Sequence, residues 1–324
     1  MIKKIKALIA IGGTGGHVFP GYNLALHLKE QNYAVKLITD KRGYKYLDNS
    51  DNFDISILPS SPILKKNIFE IILSFILIPY SILRSLIFLV LNKPSIIFGM
   101  GGYASFPICI AATILKIKFI IYENNLIIGK ANKYLLPFSH KILISNKELD
   151  GIPDKYKEKI FVIGNIIKKE IINFSEKSEK KNETRQLKIL VLGGSQAAKI
   201  FAETLPNIFF KCINNGISLK IYQHCLPIQE DKLKLFYEKI NIDFETFIFT
   251  NNLNKYFSQA NLAITRSGAS MLAELTNSNI PFISVPLPSS ADNHQLKNAI
   301  FYQKKKLSFL LEEKNLNERL FYLL

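Results

Sequence analysis

Gly12-Gly13-Thr14-Gly15-Gly16-His17 follows directly on the apolar run Ile5 to Ile11 and precedes the amphipathic segment Tyr22 to Lys29. That order predicts strand, glycine turn and helix. Four glycines in five positions let backbone approach a ligand with no Cβ in the way, and the following helix aims unsatisfied N–H groups at the same point. The turn reads as an anion-holding loop, although a purely structural glycine turn fits the same residues. It lacks the G-x-x-x-x-G-K-[ST] spacing of a Walker A loop and the G-x-G-x-x-G spacing of a dinucleotide loop; Asp40 lies near the offset of a ribose-binding acid, without that glycine pattern. The device recurs at Leu187 to Leu192, which runs into Gly193-Gly194-Ser195-Gln196.

Two such starts, one in each half of a 324-residue chain, predict two α/β domains, and 48% hydrophobic residues can fill two cores. Strand-like runs at Val35–Thr39, Ile96–Gly99, Phe119–Tyr122, Lys141–Ser145, Ile160–Ile163, Lys220–Tyr222, Phe247–Thr250, Leu262–Thr265 and Pro281–Val285 alternate with helix-length segments, the pattern of parallel sheets. Ligands of such sheets bind beyond the carboxyl ends of the strands, so both glycine loops are expected to face a shared cleft. Residues 1–167 form the expected first domain and 187–324 the second. Between them, 168–186 is rich in Lys, Glu, Ser and Asn and reads as a solvated linker.

The net charge of +16 favours anionic partners. No nucleic-acid-binding module is visible, which leaves phosphorylated substrates and anionic lipid surfaces. Cys109, Cys212 and Cys225 have no metal-binding spacing and are expected to be buried thiols in a reducing cytosol. The basic start, Met1 to Lys6, runs straight into the first strand; a cleaved leader would destroy that strand, so none is expected.

Ile71 to Leu91 is apolar enough in length to raise the question of a membrane span. Pro79, Arg84 and three serines argue against it, a central Arg alone costing about 2.5–3.5 kcal/mol on insertion scales. A span would also sever the first domain between its strands. One or two helices broken near Pro79 and resting on lipid fit better, with Ile76 and Phe88 as membrane contacts and Lys65 and Lys66 meeting anionic headgroups. A core helix pair is the competing reading.

Further motifs follow in order: Gly99-Met100-Gly101-Gly102-Tyr103, Glu123-Asn124-Asn125, Arg266-Ser267-Gly268-Ala269 with Glu274, and His294-Gln295 with Asn298. With the two glycine loops they closely resemble the MurG family, peripheral membrane N-acetylglucosaminyltransferases, from Ile5 to about Asn298. The resemblance implies a GT-B fold, with two Rossmann-like parallel-sheet domains, the first for acceptor and membrane and the second for UDP-GlcNAc, and inverting transfer of GlcNAc from UDP-GlcNAc to the 4-hydroxyl of the muramoyl sugar of lipid I, giving lipid II for peptidoglycan.

In that chemistry the anomeric carbon gains oxocarbenium character while UDP leaves, so the site needs donors around the diphosphate and a base at the acceptor hydroxyl. The resemblance assigns His17 as the base, with a loop-ordering histidine as the alternative, and Glu123 as orienter of the acceptor or helper in proton transfer. It assigns donor contacts to Thr14, Gly15, Gly16, Asn125, Lys168, Ser195, Thr250, Arg266, Ala269, Ser270, Met271, Leu272, Glu274 and Gln295, with Glu274 on the ribose hydroxyls and Thr250 reading uracil through its backbone. Gly13, Gly101, Gly102 and Tyr103 fall on the acceptor side. Asp292 and His294 read equally well as surface residues.

No D-x-D sequence occurs, so no metal and no cofactor are expected; helix dipole and cations would serve the diphosphate instead. Implied partners are UDP-GlcNAc, lipid I, an anionic membrane surface and other cell-wall synthesis proteins, with residence on the cytoplasmic face of the bacterial inner membrane and no nucleic acid. Two departures stand out. Gly164-Asn165-Ile166-Ile167-Lys168 replaces the family's Pro and Arg by Ile and Lys, losing the planar guanidinium fork, and the chain stops at Leu324 where family members continue into further helices. A binding or scaffold relative with little turnover and a transferase acting on another lipid are the competing functions; a nicotinamide-linked oxidoreductase is disfavoured by the loop spacing.

Overall fold

The computed structural model describes residues 5–47, 52–60, 68–177, 186–194, 199–248, 250 and 252–324. Ser195, Lys65 and Lys66 lie outside these described residues. The chain divides into two compact units, the first running through Ile166 and the second from Ile167 to Leu324.

The first unit is a seven-stranded sheet of β1 (Lys6–Ala10), β2 (Ala34–Thr39), β3 (Asp54–Ile57), β4 (Ile96–Gly99), β5 (Phe119–Glu123), β6 (Lys141–Ile144) and β7 (Ile160–Val162), in the order β3-β2-β1-β4-β5-β6-β7. Every pairing is parallel. Its helices are α1 (Gly15–Glu30), α2 (Lys41–Tyr44), α3 (Ile68–Asn92), α4 (Gly102–Ile114) and α5 (Lys130–Leu135). The second unit orders β8 (Leu187–Leu192), β9 (Leu219–His224), β10 (Asp243–Phe247), β11 (Leu262–Thr265), β12 (Phe282–Ser284) and β13 (Ser308–Leu310) as β10-β9-β8-β11-β12-β13, again all parallel. Its helices are α6 (Lys169–Lys177), α7 (Lys199–Asn214), α8 (Pro227–Lys239), α9 (Asn254–Phe257), α10 (Ala269–Asn277), α11 (His294–Lys304) and α12 (Leu316–Leu323). This is the expected α/β class with two Rossmann-like sheets.

The unbroken apolar runs of β1 and β8 follow from covering both faces of a sheet. Successive side chains of a strand point to opposite faces. Leu8 and Ala10 accordingly join one core with Ile97, Ile108 and Ile121, while Ile9 and Ile11 join the other with Val18 and Leu37. In the second unit Ile189 and Val191 pack with Phe201 and Leu205, and Leu190 and Leu192 pack with Leu272 and Phe282. All three cysteines are buried and unpaired.

Three expectations are modified. The segment 168–186 opens as a helix, α6, whose Ile171 is buried with Leu272 and Leu275 and whose Ile171 carbonyl accepts from Asn277 Nδ2 at 2.9 Å. Its apolar side found a partner in α10, which composition alone concealed. α3 runs through Pro79 as one helix rather than breaking there, and Ser81 and Ser85 back-bond to the carbonyls of Leu77 and Ser81. Finally, Phe88 is not on the outer face with Ile76: it packs half-buried on the first unit's core, with Lys36 Nζ 5.1 Å from its ring. Twelve residues at about 100° each place the two side chains roughly 120° apart around the helix. The exposed stripe is Ile76, Tyr80, Leu83, Ile87, Val90 and Leu91. Among the described residues, no helix is long and apolar enough to cross a membrane.

Candidate active site

In the first unit the carboxyl ends of β1, β2, β4 and β5 carry the glycine loop, Asp40, the turn at Gly101 and Glu123. Thr14 and Gly16 are exposed at the start of α1, which has no acidic residue in its first turn and no side-chain cap. Its first N–H groups are therefore free for an anion. Gly12 is held against α4: a Cβ there would lie 2.4 Å from that of Ala104.

Asp40 has a different task from the one its offset suggests. Its Oδ1 accepts from Gly13 N at 3.0 Å and Gly43 N at 2.8 Å, and its Oδ2 from Ser60 Oγ at 3.1 Å and from Arg42 Nε and Nη2, both at 3.3 Å. Burial works against the charge, but those donors and the Arg42 guanidinium hold the carboxyl below its ordinary value. The acid that would bind a ribose in a dinucleotide fold here braces the loop itself. Gly13, expected on the acceptor side, has its N–H committed to Asp40.

His17 sits in the first turn of α1 with Nδ1 3.1 Å from the Met100 carbonyl. A carbonyl only accepts, so Nδ1 carries the hydrogen and Nε2 the lone pair. Gly101 and Gly102, at φ +87° and +71°, press on the ring; a Cβ on Gly101 would meet Nδ1 at 2.9 Å, and one on Gly102 would meet Cδ2 at 3.1 Å. The turn thus positions the imidazole through van der Waals contact, while Tyr103 beside it is half-buried. Burial lowers the affinity of His17 for a proton below the ordinary value, and the Glu123 carboxylate and the Met100 carbonyl oppose that only in part. The result is a neutral imidazole with a defined basic nitrogen at neutral pH.

Glu123 ends β5 and is buried. Oε1 accepts from the Asn125 backbone N at 3.1 Å and Asn125 Nδ2 at 3.0 Å; Oε2 accepts from Gly129 N at 2.9 Å and Asn132 Nδ2 at 3.0 Å. Asn124 Nδ2 donates to the Gly16 carbonyl at 2.9 Å, tying the loop after β5 to the start of α1. His17, Glu123, Asn125, Gly101 and Gly102 thus share one site. Asn132 joins them, and sequence reasoning missed it: nine residues past Glu123, in a short helix, it carries no motif.

In the second unit Glu274 is buried on α10, and burial pushes its carboxyl up to about 7 against the pull of Lys168. Gln295 Oε1 accepts from Ser267 N at 3.2 Å and Leu287 N at 2.9 Å, fixing its amide across the start of α10. Asn298 Nδ2 donates to the Ser267 carbonyl at 3.1 Å. Thr250 Oγ1 accepts from Asn252 N at 3.0 Å, so its side chain closes its own turn. Ser270 and Met271 are half-buried, whereas Ala269 and Leu272 are buried, and the Leu272 side chain belongs to the core.

Arg266 departs most from its expected part. Its guanidinium pairs with Glu313, donates from Nη1 to the carbonyls of Val285 at 3.2 Å and Pro286 at 3.3 Å, and lies 5.0 Å from the Phe201 ring. It stitches β11 to the loop after β12 and to the C-terminal segment. Among the described residues no group of three or more His, Cys, Asp or Glu is placed to hold a metal ion.

Comparison with known proteins matches residues 7–144 to the glycosyltransferase family 28 N-terminal domain and residues 188–323 to the glycosyltransferase family 28 C-terminal domain. The UDP-N-acetylglucosamine--N-acetylmuramyl-(pentapeptide) pyrophosphoryl-undecaprenol N-acetylglucosamine transferase of Pelagibacter ubique is 38% identical over 97% of this chain and 86% of its own length. The protein of the same name from Rickettsia felis is 35% identical over 96% of this chain and 87% of its own. Among solved structures, Acinetobacter baumannii MurG superposes with a TM-score of 0.74 at 23% identity, covering 98% of this chain and 90% of that one, a likeness of fold. With both halves matched in order and named relatives aligned almost end to end, the chain belongs to the MurG family of glycosyltransferases, within glycosyltransferase family 28.

Proposed function

We propose that the chain transfers GlcNAc from UDP-GlcNAc to the 4-hydroxyl of the muramoyl sugar of undecaprenyl-diphosphate-linked lipid I, forming lipid II. The observation that carries the mechanism is the His17 tautomer: Nδ1–H is spent on the Met100 carbonyl, and burial keeps the ring neutral, so Nε2 is free to take a proton. His17 Nε2 removes the proton of the acceptor hydroxyl as its oxygen attacks the anomeric carbon and UDP departs from the opposite face. The Glu123 carboxylate stabilises the imidazolium that forms. The uncapped start of α1 at Thr14 to Gly16 supplies the anion site of the first unit, and Glu274, Gln295 and the start of α10, with Ser195 and Lys168, serve the nucleotide. The sugar nucleotide is a substrate, and the mechanism uses no metal.

The apolar stripe of α3 and the positive net charge support a peripheral seat on an anionic membrane, on the cytoplasmic face where the nucleotide sugar is available. Transfer of radiolabelled GlcNAc to a lipid I analogue tests the reading. The intact chain should form the disaccharide product, and His17→Ala should lose at least about 100-fold in kcat with UDP affinity retained. Donor binding with no product from the intact chain overturns the proposal, and near-normal turnover by His17→Ala removes His17 from the base role.

A further inference from the structure

Asn132 is 1% exposed, and its amide is divided in an unusual way. Nδ2 donates both to the Tyr122 carbonyl, at 2.9 Å, and to Glu123 Oε2, at 3.0 Å, while Oδ1 is buried with no hydrogen-bond partner. Both partners are pure acceptors, so the amide cannot be turned over without setting oxygen against oxygen. A buried acceptor left empty is unfavourable, and the bond to the carboxylate has to offset it. The same Nδ2 lies 3.5 Å from the place a Cβ on Gly101 would occupy, and His17 Nδ1 lies 2.9 Å from that place. Asn132 therefore touches the turn that holds the ring on one side and the carboxylate that acts on the ring on the other.

We infer that Asn132 is a positioning residue: by pinning Oε2 of Glu123 to the β5 backbone, it fixes the field in which His17 accepts its proton. The inference rests on His17 as the base. Around the ring, Met100, Gly101 and Gly102 come from the turn before α4, Asn132 from α5, and the first turn of α1 holds no acid; among the described residues Glu123, from β5, is the charged side chain whose field reaches the ring. Moving that carboxylate, or adding a second, changes both the ring's charge and its aim.

The test follows two readouts in the full-length chain: titration of the His17 imidazole by NMR, and the pH profile of kcat/KM for transfer. Asn132→Asp places a second carboxylate beside Glu123. The His17 titration and the acid limb of kcat/KM should both move up by about one pH unit. Asn132→Ser, which adds no charge but is too short to hold both the Tyr122 carbonyl and Glu123 Oε2, should move both midpoints far less than Asn132→Asp and lower kcat with KM for the donor nearly unchanged. Should Asn132→Asp fail to fold, Asn132→Ser alone decides: a fall in kcat with unchanged melting temperature supports positioning, and a fall in melting temperature with unchanged kcat overturns it. If neither midpoint moves in folded Asn132→Asp, Asn132 serves the fold only and the inference fails. A moved imidazole titration with an unmoved kinetic limb upholds Asn132's control of the ring and defeats His17 as the base.

Discussion

Gly101 combines a backbone that side chains rarely adopt, φ +87°, with a Cβ position 2.9 Å from His17 Nδ1. Gly101→Ala therefore strains the turn and displaces the ring, and a misplacement of about 1 Å can cost 100-fold in rate. A loss of that order in kcat, with the circular dichroism spectrum intact, is the expected outcome; unimpaired turnover would show that the ring's place is not set by this contact. Glu274 gives a pH dependence of stability. Its folded value, about 7, lies above its ordinary 4.5, so the native state keeps a proton that the unfolded chain releases. Stability is whole below about pH 4.5 and declines as pH rises toward 7, by up to about 3 kcal/mol. Glu274→Gln should flatten that decline in urea titrations between these pH values and weaken UDP binding; an unchanged slope would remove the burial argument. His17 and Glu123 were legible in the sequence because each sits in a short motif at a strand end. Asp40 and Asn132 hid their tasks because their partners, the Gly13 N–H and the Tyr122 carbonyl, are backbone atoms that no side-chain pattern announces.

Among the elements, inner strands such as β4 and β11 were read to the residue, because burial on both faces demands an unbroken apolar run. The edges were harder. β3, Asp54–Ile57, alternates polar with apolar residues; β10, Asp243–Phe247, carries Asp243 and Glu245 on its wet side and displaced an expected run at 247–250; β13 has only three residues. α3 is the element with most to test. Ile76, Leu83 and Ile87 lie on its exposed stripe, and each apolar side chain withdrawn from water contributes about 1.5–3 kcal/mol. Replacing all three by Gln should lower partition onto anionic vesicles at least about tenfold while leaving the melting temperature unchanged. Phe88→Gln should do the reverse, since that ring packs on the core.

For the molecule as a whole, the charge of +16 should make the proposed association with an anionic bilayer partly electrostatic. Each Lys or Arg near such a surface contributes about 1 kcal/mol, an attraction that fades as the Debye length shrinks from about 10 Å at 0.1 M salt to about 3 Å at 1 M. Cosedimentation with anionic vesicles should fall steeply across that range and leave a salt-resistant remainder due to α3; salt-independent binding would assign the contact to apolar burial alone. The repeated scaffold was legible from its two glycine turns, whereas the assignment of acceptor and membrane to the first half and of UDP-GlcNAc to the second came from the family resemblance. Asp40 marks one consequence of how the first loop is held. In spending its carboxylate on its own loop, the first sheet gave up the hook by which a nicotinamide or flavin dinucleotide would be caught, so offering such a coenzyme to the protein should release no heat.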